Sequence, residues 1–227
     1  MNIGVTVLGA GSWGTTVAHL AASNVPTILW ARDPQVVEDI NRDHVNRRYL
    51  DGYDLNPELR ATADLAEAVA SADVLVMGVP SKAFRQTLEA AQPYVRAWVP
   101  VVSLAKGFEA SSHKRMTEVI ADVLPGHPAG VLTGPNLAKE ILAGSAAAAV
   151  IAMSDPFIAE RLQEIFSQDL FRVYTNPDVI GAEVAGALTN VIALAAGMAD
   201  GLGTGDNTRA AGITRGLNEL TRLGVAM

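Results

Sequence analysis

The chain has 227 residues, 49% of them hydrophobic, enough for one large domain or one and a half with a well-buried core. A net charge of -7, from 24 acidic against 17 basic residues, argues against a general nucleic-acid binder, which needs a basic face, but leaves room for a local anion site. There is no cysteine, so disulfides and thiolate metal sites are excluded, and the four histidines lack paired ligand spacing, so no metal is expected.

Met1 leads directly into a strand-like run, with neither a basic n-region nor a signal-peptide core. No uninterrupted apolar run is read as membrane-spanning; 145-SAAAAVIAM-153 is far too short. A cytoplasmic protein without a membrane span is the expectation.

The run 3-IGVTVLG-9 predicts a buried parallel strand. After a glycine-rich turn, Val17, Leu20 and Ala21 have helical spacing within 15–23, and 27-TILWA-31 predicts a second strand. Asp33 and Pro34 start a helix as N-cap and first residue. A polar loop covers about 41–60. Asp64 and Glu67 resemble a capping box opening a helix over 64–70. A strand at 74–79 ends at Pro80, and Ser81 is read as the cap of a helix over 82–95. A strand at 99–105, a helix near 112–123, a strand at 129–133, a helix at 137–143 and a strand at 146–153 follow. Asp155 and Pro156 start another helix, and 171-FRVYT-175 is a last strand.

Strands alternating with helices predict an α/β fold, a Rossmann-type doubly wound and mainly parallel sheet. From Asp178 the rhythm changes to helices rich in Ala and Gly. The expected domains are therefore 1–178, dinucleotide-binding, and 179–227, the start of an all-helical C-terminal domain.

The stretch 9-GAGSWG-14 matches G-x-G-x-x-G, and it follows a strand and opens a helix. Gly9 allows the tight turn, Gly11 lets backbone approach a pyrophosphate, and Gly14 permits close helix–strand packing. The phosphates would meet free N–H groups of Ser12 and Trp13 at the positive end of the helix dipole. The bland alternative is a tight turn with no ligand. At the end of the second strand, 29-LWARDP-34 puts Ala31 and Arg32 where an NAD site often has a carboxylate. Arg32 suits a 2′-phosphate or an adenine face, unless it is a solvated loop charge. Asp33 suits a helix cap better than a ribose ligand. The expected cofactor is NADP or NAD.

Further segments complete a pattern: 79-VPS-81, 105-AKGFE-109, 133-TGPNLAKEI-141, 173-VYTNPDVIG-181, 187-ALTNVIALAAGMADGLGTGDN-207 and 213-ITRGLNEL-220. With the glycine turn they resemble, in order along the chain, bacterial NAD(P)-dependent glycerol-3-phosphate dehydrogenase. The resemblance implies reduction of dihydroxyacetone phosphate to sn-glycerol 3-phosphate, a phospholipid precursor. It implies cofactor contacts from Ser12, Trp13, Arg32, Lys106 and Ala138, and substrate contacts from Lys106, Gly134 and Asn136. It also makes residues 179–227 the first part of the substrate and catalytic domain.

These residue types suit the roles. Lys106 follows a strand, at the carboxyl end of the sheet, where open α/β sheets bind ligands. A lysine there holds a phosphate or polarises a carbonyl; otherwise it is a solvated turn lysine. Gly134 permits close approach, and the amide of Asn136 can donate to a substrate oxygen. Lys139 and Glu140 read as first-turn helix charges without a role.

The family's general acid/base is a lysine at the position of Thr189, directly before Asn190. Threonine is short, uncharged and a poor acid. The change is engineered, or natural in a non-catalytic binder, or offset by Lys106 or a water. The bland reading has Thr189 bonded to the carbonyl of Ala185 on a packed helix. Asn190 is expected as a buried amide that demands partners. The resemblance also implies later segments, carrying an aspartate and an Arg-Asn pair, that lie past Met227. The helices from 179 on are then expected to leave an apolar face uncovered, with either a partner chain over it, as in a homodimer, or marginal stability. Two other readings stand beside this one: a β-hydroxyacid dehydrogenase relative, and a non-catalytic dinucleotide-binding module.

Overall fold

The computed structural model describes residues 3–227; Met1, read as the lead-in to the first strand, lies outside them. The first half alternates strands and helices: β1 (Val5–Leu8), α1 (Ser12–Ala22), β2 (Thr27–Trp30), α2 (Pro34–Asp43), α3 (Arg47–Leu50), β3 (Arg60–Thr62), α4 (Leu65–Ala70), β4 (Val74–Met77) and α5 (Ser81–Ala91). Then come β5 (Val101–Ser103), α6 (Met116–Val123), β6 (Ala129–Thr133), α7 (Ala138–Leu142), β7 (Ala147–Met153), α8 (Pro156–Phe166) and β8 (Phe171–Asn176). Two long helices follow, α9 (Val179–Gly201) and α10 (Asp206–Ala226).

The strands form one eight-stranded sheet in the order β3-β2-β1-β4-β5-β6-β7-β8. Its first six positions have the strand order of a dinucleotide-binding sheet. Neighbouring strands are parallel except β6 and β7, which run antiparallel with Gly130 opposite Met153. The Rossmann-type, mainly parallel sheet followed by helices is therefore as the sequence predicts. The central strands are covered on both faces, which is why Val5, Val7, Leu8, Leu75, Val76 and Met77 form continuous apolar runs with almost no exposure. The one polar residue of β1, Thr6, is satisfied by donating to Ala68 O at 2.6 Å.

Helix starts follow their caps. Asp33 accepts from Gln35 N at 3.0 Å, and Asp155 accepts from Phe157 N at 2.9 Å. Asp64 caps α4 through Glu67 N, but Glu67 accepts from Thr62 Oγ1 at 2.8 Å instead of reaching back, so only half of the box forms. Ser81 is not a cap: Pro80 holds that position, Ser81 is the first helical residue, and α5 stops at Ala91 before a 3-10 turn, Gln92–Tyr94. The helix read near 112 starts only at Met116, because His113 sits in the left-handed region at φ 59°. The loop read over 41–60 hides α3 and reaches the start of β3; these are one turn of helix and a strand with a single buried residue, Ala61, so neither carries a periodic signal.

One helix passes for a membrane span by length and composition alone. At 23 residues, α9 is long and apolar enough to cross a membrane. Thr189 and Asn190 interrupt its apolar run but add no charge. Only Val184 of α9 is buried, and Val191, Leu194, Met198 and Leu202 on α9, with Leu217, Leu223 and Val225 on α10, stand exposed, the apolar face that the sequence predicts.

Candidate active site

The glycine turn is backbone packed on backbone. Gly9 has φ 117°, and its N–H donates to Trp30 O at 3.1 Å, tying the turn to β2. A Cβ at Gly9 would lie 2.9 Å from Gly78, and one at Gly14 would lie 2.1 Å from Gly9 O. Gly11 differs: a Cβ there would meet nothing within 4 Å, so this position opens outward. Gly11 is also the N-cap of α1 and has no side chain to cap it. The first intrahelical bond is Thr15 N to Gly11 O, so the amides of Ser12, Trp13 and Gly14 have no acceptor within the helix. Ser12 is exposed there, whereas the Trp13 ring turns inward, edge-on to Phe171 with centroids 6.3 Å apart. Its Nε1 is buried and has no hydrogen-bond partner among the described residues. A small-residue turn, an open cradle and uncapped amides at a helix N-terminus fit a dinucleotide diphosphate.

Beside the turn lies the end of β2. Arg32 is exposed and has no hydrogen-bond or ion-pair partner among the described residues. Asp33 caps α2 and also accepts from Arg48 Nη1 at 2.6 Å. Two residues before Arg48, the fully buried Asn46 donates to Ala10 O at 3.0 Å and to Thr15 Oγ1 at 2.9 Å, so α3 is fastened to the glycine turn. Neither Asn46 nor Arg48 was singled out from the sequence, where the polar stretch around them has no pattern.

The second cluster sits at the ends of β5 and β6. Lys106 donates from Nζ to Gly134 O at 3.0 Å, and desolvation in that crease lowers its pKa from the ordinary lysine value. Its loop is held by Glu109, which takes Arg85 Nε at 2.7 Å and Nη2 at 3.0 Å; Arg85 also reaches Asp122 at 2.9 Å. The Arg85 guanidinium and the Ser112 hydroxyl hold the Glu109 carboxyl down to about 2. Gly134 is required by space: a Cβ there would lie 2.7 Å from Asn136 Oδ1 and 2.8 Å from Ala148 O. The Asn136 amide NH2 is already donated to Ala148 O at 2.8 Å, while Oδ1 is buried without a partner. One amide N–H and the Oδ1 acceptor are thus left over, so Asn136 can still donate to a substrate oxygen, as the sequence reading has it, and can also accept from a substrate hydroxyl. Ala138 opens α7, which packs beside α1.

The helix α9 reaches this cluster at one face. Asp178 caps it through Gly181 N at 2.8 Å. Glu183, nearly buried, accepts from Arg115 Nη1 at 3.0 Å, from Thr117 N at 2.9 Å and from the Thr117 hydroxyl. A Cβ at Gly186 would lie 2.6 Å from Thr133 Oγ1, so the helix passes directly over the end of β6 beside Gly134. One turn further, Thr189 donates to Ala185 O at 2.5 Å, the back-bond of the bland reading. Asn190 is exposed, contrary to expectation, because α9 has left the sheet by this turn. The structure thus brings Gly9, Gly11, Ser12 and Gly14 together, and Lys106, Gly134 and Asn136 together, but gives Thr189 and Asn190 no hydrogen bond to either group. Two hollows of about 310 and 260 Å³ lie at the opposite, amino end of the strands, around Ile3 and Arg161, and belong to neither cluster.

Sheet order, turn and helix dipole define a Rossmann-type dinucleotide-binding protein. Residues 4–159 match the model of the NAD-dependent glycerol-3-phosphate dehydrogenase N-terminus, and residues 178–227 match that of its C-terminus. The chain belongs to that family. It is 62% identical to glycerol-3-phosphate dehydrogenase [NAD(P)+] 2 of Sphingopyxis alaskensis over 100% of its own length and 68% of the relative's. With the Mycobacterium avium glycerol-3-phosphate dehydrogenase [NAD(P)+] it shares 55% identity, over 98% of this chain and 66% of the relative. It therefore spans about two thirds of the length of these relatives. Among solved structures, glycerol-3-phosphate dehydrogenase of Coxiella burnetii superposes with a TM-score of 0.90 at 35% identity, over 99% of this chain and 69% of that one. A UDP-D-ManNAc dehydrogenase of Pyrococcus horikoshii, at 13% identity and a TM-score of 0.64, shares the fold alone.

Proposed function

We propose that this chain carries the cofactor site and most of the substrate cradle of a glycerol-3-phosphate dehydrogenase, which moves a hydride between NAD(P)H and dihydroxyacetone phosphate to give sn-glycerol 3-phosphate. The observation that carries the proposal is the meeting of Lys106, Gly134 and Asn136 at the carboxyl end of the sheet that bears the glycine turn. The relatives' names favour this reading over a β-hydroxyacid dehydrogenase. We place the domain boundary at 178/179, supported by the Asp178 cap and by the second family match starting at 178. A cytoplasmic location, and a place for α9 on the protein and not in a bilayer, are supported by the seating of Glu183 and Gly186 against the sheet.

Each residue has a definable task. The free amides of Ser12 and Trp13 hold the diphosphate, and Gly11 gives it room. When bound, the reduced nicotinamide supplies the hydride. The Lys106 ammonium, now spending one hydrogen on a neutral carbonyl, moves to a substrate oxygen that gathers negative charge. Asn136 Oδ1 accepts from a substrate hydroxyl. Position 189 should deliver the proton to the carbonyl oxygen, but the Thr189 hydroxyl is committed to Ala185 O and is too weak an acid. Loss of such a group typically costs about 10²–10⁴-fold in rate.

The test is oxidation of NAD(P)H with dihydroxyacetone phosphate by the chain and by Thr189→Lys. A gain of about 10²–10⁴-fold in the variant supports the assignment. If both forms bind NADPH and neither turns over, the back-bonded Thr189 marks a binding module, and the catalytic reading is lost.

A further inference from the structure

We propose that Arg48 makes this chain prefer a dinucleotide phosphorylated on its adenosine ribose, by occupying the carboxylate that would otherwise receive the ribose hydroxyls. The inference rests on the dinucleotide reading above. Sites selective for the unphosphorylated ribose keep an acid after the second strand, where it accepts from the 2′-hydroxyl and repels a phosphate. Asp33 stands in that region, yet both its oxygens are engaged. Oδ1 accepts from Gln35 N at 3.0 Å, and Oδ2 accepts from Arg48 Nη1 at 2.6 Å. Arg32, its neighbour, is exposed and unpaired among the described residues. Arg48 thus neutralises this carboxylate while Arg32 keeps its charge, and the end of β2 is net positive, where without Arg48 it would be neutral.

The arginine is held where this matters. Asn46 ties α3 to Ala10 O and Thr15 in the glycine turn, so Arg48 comes off a fixed anchor beside the cradle. Its guanidinium lies over the Tyr49 ring, 5.5 Å from the centroid, which leaves the planar fork extended. The other acids of this corner, Asp39 and Asp43, are taken by Arg47 at 2.9 and 2.8 Å and do not compete for Arg48. A guanidinium fork binds phosphate more strongly than it binds a hydroxyl.

The test is equilibrium titration of the chain with NADPH and with NADH, followed by nucleotide fluorescence, for wild type, Arg48→Ala and Arg48→Lys. Arg48 is more than half exposed, so its loss leaves the fold intact, which thermal unfolding checks. Arg48→Ala is expected to weaken NADPH about tenfold or more, the equivalent of one charge-assisted bond, and NADH less than about twofold. Arg48→Lys is expected to recover only part of the NADPH affinity, since it restores the charge without the fork. Equal losses for both nucleotides, or no loss for either, overturn the assignment while wild-type binding upholds the dinucleotide site. Wild type binding neither nucleotide overturns the site reading itself, and this inference with it.

Discussion

Two alanine substitutions, three residues apart, separate what the glycine turn does for the fold from what it does for a ligand. At Gly14 an added methyl would lie 2.1 Å from Gly9 O, where real Cβ contacts essentially never come under 3.0 Å. The obstacle is backbone, itself pressed against Gly78, so it cannot swing aside. Overpacking of this kind costs about 1–3 kcal/mol, and the severity of the overlap puts Gly14→Ala at about 3. For a chain of this length each kcal/mol is worth about 2–4 °C, so a drop of about 6–12 °C is expected. At Gly11 the methyl meets nothing within 4 Å, and φ −70° with ψ 174° suits alanine. The gain of about 0.4–1 kcal/mol from a stiffer unfolded chain is offset by alanine being a poorer helix cap, by a similar amount. Gly11→Ala should melt within about 2 °C of wild type, yet lose NADPH binding, since its methyl fills the cradle. The assays are circular-dichroism melting and fluorescence titration. If Gly11→Ala binds like wild type, the diphosphate does not lie over that turn. If Gly14→Ala melts like wild type, the close packing of turn and helix plays no part in stability.

Glu183→Ala strips the partner from Arg115, which is only 12% exposed, and should cost about 3 kcal/mol, read as a lower urea midpoint; an unchanged midpoint would mean that α9 is held elsewhere. His19 accepts from Asn56 N through Nδ1 at 2.9 Å, and burial lowers its pKa below the usual 6.5. The unfolded chain then binds the extra proton first, so stability is full above about pH 6.5 and falls as pH drops toward the lower folded value. Urea midpoints against pH should show that slope in wild type and lose it in His19→Gln. Glu109, at about 2 against the usual 4.5, adds a separate loss that starts only below pH 4.5 and should vanish in Glu109→Gln.

What was legible in the sequence was whatever a short stretch decides by itself. Asp33-Pro34 and Asp155-Pro156 cap their own helices, and the apolar runs of β1 and β4 can only be strands buried on both faces. Gly9 and Gly14 announce a need for space and backbone freedom that no other residue meets. What was not legible depends on distant partners. Asn46 finds Ala10 across 36 positions, and Arg48 finds Asp33 across 15, in a loop without periodicity. Asn136 was picked out, but the bond it spends on Ala148 O, on the next strand, was not. Asn190 looked buried because the residues around it are apolar, although α9 exposes most of its surface.

The reversed strand β7 has a mechanical result. In a sheet ending at β6, the turn after that strand would project from an open edge. Here Lys106 grips it from one flank and Ala148 from the other, so Gly134 and Asn136 are clamped like a shelf bracketed at both ends. The spacing between the Lys106 ammonium and the Asn136 amide is therefore set by the sheet and not by the helices that follow.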